Sequence, residues 1–338
     1  MRLISQYIAI FVITLTLVGC FFNNSDIKRW EMATQGTTSF ALSRDARFGL
    51  FFVKEGSNAA NTDSKIKSGL HFWDLVDNKE LTYFGAQDQN NSTVSHITIS
   101  DNSRFAITAT KTNFAVWDLG MGISEGLWSI SDSIIRDVDI SNNGQQVLLG
   151  LSNGKAIYID LATGRRLEFL AHREKVNSVA LSANGKFALS GGNDHFAYFW
   201  DTQTGQILRT FEHEKRVSRI ALQRDGKYAF TADGGNKAFI WDLKTGKKIT
   251  ELSTFARQQV FSSARFSDDG KYLITGSPAG SIMLWDTLSG KKKEQWRAEP
   301  LKDARPPTAV VYDVAIDKKQ RVISATSAGI AQAWLIRQ

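Results

Sequence analysis

Between residues 165 and 201 the chain reads RRLEFLAHREKVNSVALSANGKFALSGGNDHFAYFWD. Apolar and polar side chains alternate there in four short runs, 165–171, 176–181, 187–190 and 197–200, separated by Ser, Asn, Gly and Asp. Period-two alternation over such short stretches, punctuated by turn residues, is the pattern of half-buried strands and not of helices. The stretch predicts a four-stranded antiparallel meander.

The same pattern recurs along the chain. Its closing pair, Trp200 and Asp201, is repeated at Trp73 and Asp74, Trp117 and Asp118, Trp241 and Asp242, and Trp285 and Asp286. Weaker copies stand at Ile159 and Asp160 and at Trp334 and Leu335, so successive copies are 44, 42, 41, 41, 44 and 49 residues apart. The central turn SANGKF, from Ser182, is echoed by SRDARF from Ser43, SDNSRF from Ser100, SNNGQQ from Ser141, QRDGKY from Gln223, SDDGKY from Ser267 and DKKQRV from Asp317. An outer strand follows each tryptophan pair at 79–86, 124–131, 165–172, 206–213, 247–254 and 291–298. Seven units need one more outer strand than this. Residues 26–33, DIKRWEMA, have the right alternation, and the last unit lacks a fourth strand. The N-terminal strand is therefore expected to complete the last sheet and to remove an open edge.

These in-phase copies resemble the WD40 repeat family, and the resemblance covers residues 26–338. It implies an all-β, seven-bladed β-propeller of four-stranded antiparallel blades. It also implies that His172, Ser190, Asp194 and Trp200 form a structural hydrogen-bond tetrad stiffening one blade. The next repeat has His213, Thr231 and Trp241, but Gly235 where the acid belongs.

Residues 1–19 are of another kind. Arg2 precedes an apolar run at 7–18, interrupted only by threonines. That run is too short to span a bilayer, which takes about 20 residues, and suits the core of an export signal. Leu17, Val18, Gly19 and Cys20 resemble the lipobox of bacterial lipoproteins. The resemblance implies cleavage between Gly19 and Cys20, a diacylated thiol and an acylated new amine. Residues 20–25 would then be a lipidated tether, of which 21–25 reach at most about 18 Å. Cys20 is the only cysteine in the chain, so no internal disulfide is expected. Phe21 in place of Asp argues, by the same resemblance, for the outer membrane over the inner. The address expected is the periplasmic side of a bacterial cell envelope.

Two insertions break the repeat: the polar stretch 54–68 in the first blade and the proline-rich 299–307 before the last. Both belong to the loops that would emerge on one face, in neighbouring sectors of the ring. Lys54, Asn61, Lys65, Lys302 and Arg305 are the candidate partner contacts, and tolerated surface insertions are the alternative.

Composition narrows the chemistry. The five histidines lack metal-ligand spacing, and no phosphate loop or nucleophile elbow is present, so no catalytic, cofactor or metal residue is expected. Lys and Arg total 41 against 34 Asp and Glu, but the bases are dispersed, which disfavours nucleic acid as a partner. Many, Lys291, Lys292 and Lys293 among them, fall in the turns of the face expected to carry the N-terminus. That suggests a face turned to anionic headgroups. The expected function is a non-catalytic, monomeric interaction platform for envelope proteins. The alternative is an enzyme or small-ligand binder using the central channel, where Arg136, Asp137, Tyr312 and Asp313 are the visible hints.

Overall fold

The structure, a computed structural model, describes residues 26–33, 36–54, 66–88, 92–253, 260–302, 304–305 and 307–337. The expectations for residues 1–25, including Gly19 and Cys20, and for Asn61 and Lys65 lie outside these.

Seven four-stranded antiparallel sheets follow one another. Blades 1 to 6 span residues 39–85, 96–129, 135–169, 176–212, 217–251 and 263–297. Blade 7 takes three strands from 311–335 and its outermost strand from Lys28–Glu31, which pairs antiparallel with Ile330–Leu335. The first strand of each blade contacts the first strands of its two neighbours, and the last of these meets the first. The ring is therefore closed, with the first strands lining a central channel. Trp30 is buried between blades 7 and 1, so the closing strand contributes to the core as well as to the ladder.

The written repeat and the folded sheet are one strand out of phase. The meander expected over 165–201 is not a single sheet, because Arg165–Phe169 pairs back onto Ala156–Asp160 in blade 3. Only the remaining three strands belong to blade 4. Each sequence repeat thus straddles two blades and ties them together.

Antiparallel order puts two kinds of connection on opposite faces. Turns between first and second strands and between third and fourth strands share one face, called here the turn face. The remaining connections share the loop face, where Lys54, Lys302 and Arg305 stand. The strand Lys28–Glu31 starts on the turn face, where the Lys28 Nζ and the Trp30 indole N–H donate to the carbonyl of Leu75, at 3.5 and 2.7 Å.

Blades meet through apolar side chains wedged against glycine. A Cβ on Gly150, Gly191 or Gly276 would lie 2.9, 2.6 or 2.4 Å from a valine of the next blade's first strand. The absence of a side chain at these positions is what lets adjacent sheets approach.

Candidate functional site: the central channel and its two mouths

The first strands of blades 3, 4, 5 and 7 each carry a β-bulge, between Ile135 and Asp137, Val176 and Ser178, Val217 and Arg219, and Val311 and Asp313. A bulge shifts the side-chain phase by one. Ile135 shares the core with Val138 and Ile140, and Asp137 and Asp139 face the neighbouring strand instead. The same step brings Arg219 and Asp313 to the channel, a cavity of about 170 Å³.

The charges there engage one another across blade boundaries. Asp313 accepts from Arg265 of blade 6 at 2.6 Å and from the Leu42 N–H of blade 1 at 2.9 Å. Arg265 also donates to the Leu42 and Ser43 carbonyls at 3.2 Å. Asp137 accepts from the Ser178 hydroxyl and the Val179 N–H, each at 3.0 Å, with Arg219 at 3.8 Å. Asp139 accepts from the Leu181 N–H at 2.7 Å. Burial pushes its carboxyl up to about 7 against these backbone donors, with Asp101 and Asp137 adding to the rise. On the turn face Arg44 crosses the mouth to pair with Asp101 of blade 2 at 3.1 Å and with Asp268 of blade 6. One of its nitrogens, Nη2, is buried without a hydrogen-bond partner. At the loop-face mouth His96 accepts or donates to the Ser95 hydroxyl at 2.9 Å. Burial, aided by Arg219 and Arg136, holds its imidazole below the usual range against the pull of Asp137.

Asp137 thus lies beside Arg219 and Asp313 pairs with Arg265 across blade boundaries, while Asp139 and Arg44 make further inter-blade contacts of their own. The alternation pattern did not indicate Arg219, Arg265, Asp139 or Arg44: a bulge resets the phase before Asp139 and Arg219, and the partners of Arg44 and Arg265 lie far away in sequence. Among the described residues no group of His, Cys, Asp and Glu is placed to hold a metal ion.

The four tetrad positions come together inside blade 4. His172 Nδ1 lies 3.0 Å from Asp194, and its Nε2 lies 2.9 Å from the Ser190 hydroxyl, to which the Trp200 indole N–H donates at 3.2 Å. All four are buried or nearly so, and Trp200 stacks on Phe169 at 4.5 Å. Burial would raise Asp194, but the His172 hydrogen bond and charge and the Arg173 N–H outweigh it and hold the carboxyl below its usual range.

Blade 5 differs from the pattern read in the sequence. His213 Nε2 and the Trp241 indole meet Thr231 at 2.8 and 2.7 Å, but the nearest acid is Asp233, two residues before Gly235. It lies 3.8 Å from His213 Nδ1, which has no hydrogen-bond partner, because Asp233 caps the Gly235 and Lys237 N–H groups instead.

The aspartates closing the third strands cap the turns that follow. Asp201 accepts from the Gln203 and Thr204 N–H groups at 2.8 Å, and Asp242 and Asp286 accept likewise from Thr245 and Ser289. The Thr204 N–H, above all, holds Asp201 below the usual carboxylate range.

On the loop face, Lys54 ends the strand Phe48–Val53, and Lys302 and Arg305 are exposed. Leu301 packs on Ala309, Ala328 and Ile330 and anchors their segment, while Glu299 pairs with Arg29 of the closing strand. On the turn face many bases are occupied: Arg47 by Asp74, Arg104 by Asp118 and Arg321 by Asp317.

The geometry defines a closed β-propeller in which Trp117, Trp200, Trp241, Trp285 and Trp334 each donate to a hydroxyl of the adjoining strand, while the Trp73 indole N–H is buried without a partner. Residues 164–201, 205–242 and 247–286 match the family described as WD domain, G-beta repeat. Each match starts in the outermost strand of one blade and ends in the third strand of the next. The chain is a seven-bladed β-propeller, and within it the stretch 164–286 is similar to the WD40 repeat. The unmatched blades include those with Ile159 for Trp, Leu335 for Asp and the 54–68 insertion. No curated protein matches the chain.

Proposed function

We propose that this propeller is a lipid-tethered, non-catalytic platform for protein partners in a bacterial cell envelope, acylated at Cys20 on the periplasmic side, the outer membrane favoured over the inner. WD40 propellers commonly serve as protein-interaction scaffolds. The observation that carries the reading is the channel: Asp313 pairs with Arg265, Asp137 binds blade 4 beside Arg219, and Arg44 pairs with Asp101 and Asp268, which favours recognition through loops over chemistry in the bore. The strand Lys28–Glu31 begins on the turn face, eight residues beyond Cys20. A short tether would then hold that face toward the bilayer and turn the loop face, with Lys54, Lys302 and Arg305, toward partners. Lys291, Lys292 and Lys293, with Lys247, are exposed bases on the tethered side, each contributing about 1 kcal/mol at most near anionic headgroups.

The test is chemical cross-linking and affinity capture of the native protein from envelopes, comparing it with deletions of 54–68 and of 299–307. Partners lost with either deletion, and labelled palmitate incorporated only when Cys20 is present, are expected. Unchanged partners with both deletions would refute the loop face. Palmitate labelling of Cys20→Ser would refute the anchor.

A further inference from the structure

On the turn face, the first turn of a blade normally covers the start of the preceding blade's second strand. A Cβ on Gly144 of blade 3 would meet Phe105 of blade 2 at 2.5 Å, one on Gly185 would meet Gln146 at 3.0 Å, and one on Gly270 would meet Tyr228 at 3.3 Å. At the junction of blades 4 and 5 the equivalent glycine, Gly226, has nothing within 4 Å. Its turn stands away from Phe187, which occupies the place of Phe105, Gln146 and Tyr228.

The gap opens into a groove of about 550 Å³. Its floor is apolar: Phe187 and Phe199, with rings 5.5 Å apart, and beyond them Leu208 and Leu243. Its rim is basic. Arg224 and Lys244 are exposed, and no ion pair engages either among the described residues. Arg209 directs its terminal nitrogens to the carbonyls of Leu208 and Lys244 and leaves its Nε buried without a partner. Asp225 is the one acid among the lining residues, and the Gln223 amide already donates to it at 3.3 Å. Arg224 also lines the channel mouth, so the groove runs radially from the channel outward.

We propose that this groove is a docking site for a short peptide segment of a partner protein, one that carries a carboxylate beside a large apolar side chain. Apolar floor and cationic walls together match such a segment: the side chain enters the space left over Phe187, and the carboxylate meets Arg224 and Lys244. The radial course suits an extended chain, and the volume, within the range of ligand pockets, takes one or two large side chains. The site lies on the face opposite Lys54, Lys302 and Arg305 and does not depend on the role proposed for them.

A random heptapeptide library displayed on phage, selected against the full chain carrying Cys20→Ser, tests this. Enriched sequences are resynthesised with fluorescein and titrated by fluorescence polarisation. Asp or Glu next to Phe, Trp, Leu or Ile is expected, with affinity falling at least about tenfold in Arg224→Glu/Lys244→Glu. The same charge change elsewhere on this face, Lys318→Glu/Lys319→Glu, should leave affinity within about twofold. Circular dichroism and thermal unfolding check that both double variants keep the fold. No enriched motif, or equal losses in the two variants, overturns the proposal. So does binding of phosphatidylglycerol vesicles that Arg224→Glu/Lys244→Glu abolishes in the absence of any enriched peptide, which would assign the groove to a membrane surface.

Discussion

His172 links three elements of blade 4 through side chains alone, and neither of its ring nitrogens reaches solvent. Replacing it by Ala leaves Asp194 and Ser190 without their shared partner in a buried site, a loss of about 2–3 kcal/mol. Urea unfolding should show that loss, while partner capture from envelopes stays unchanged under conditions where the variant is folded. His213 lacks the acid contact and behaves differently. Burial pushes it down to about 4, against the attraction of Asp233. The unfolded chain binds the proton near 6.5, so stability is complete above that pH and declines as pH falls toward 4. Asp139 has the opposite sign. Its folded carboxyl, at about 7, keeps a proton that the unfolded chain releases above 3.8. Its contribution is therefore complete below 3.8 and is lost as pH rises through 7. Unfolding measured from about pH 4.5 to pH 8 should show a flatter acid limb in His213→Gln and a flatter neutral limb in Asp139→Asn.

Elements hold together where one sheet's glycine admits the next sheet's valine. Gly276→Ala would set a methyl 2.4 Å from both Val311 and Ser263, forcing blades 6 and 7 apart at a cost of about 1–3 kcal/mol. Gly164, with open space around it, lies in a surface turn at positive φ and should lose less, about 1 kcal/mol, as Ala. Thermal unfolding of the pair separates inter-blade wedging from backbone strain. The closing strand is the other critical element. Deleting residues 26–33 uncovers the edge of Ile330–Leu335 and removes Trp30 from its cluster. The truncated chain should associate on size-exclusion chromatography, and a synthetic peptide of residues 26–33 should restore the monomer.

Across the whole ring, Asp313 is the knot: one carboxylate joins blade 7 to Arg265 of blade 6 and to the backbone of blade 1. Asp313→Ala leaves Arg265 half-buried without its acid and frees the Leu42 N–H, so a loss of roughly 3 kcal/mol is expected. Replacing both partners by apolar residues should cost less than this single change. Hydrogen exchange should show blades 6, 7 and 1 loosening before blade 4, because the network crosses those junctions.

Much of the architecture was legible along the chain because its signals are local. Period-two alternation, turn residues at fixed offsets and a repeated tryptophan are set by neighbours within a few residues, and counting outer strands was enough to send residues 26–33 to the last blade. The tetrad of blade 4 came from the resemblance to the WD40 repeat, whose pattern His172, Ser190, Asp194 and Trp200 match. Tertiary structure alone decided the rest. The bulges that turn Asp137 and Asp139 away from the core leave no mark in the alternation, and strict period-two reading would set both beside Ile135. Arg44 meets Asp268 across 224 residues only because the ring closes. The groove over Phe187 exists because one turn stands off where its counterparts pack, a difference of a few ångströms between sheets that no residue in either turn spells out.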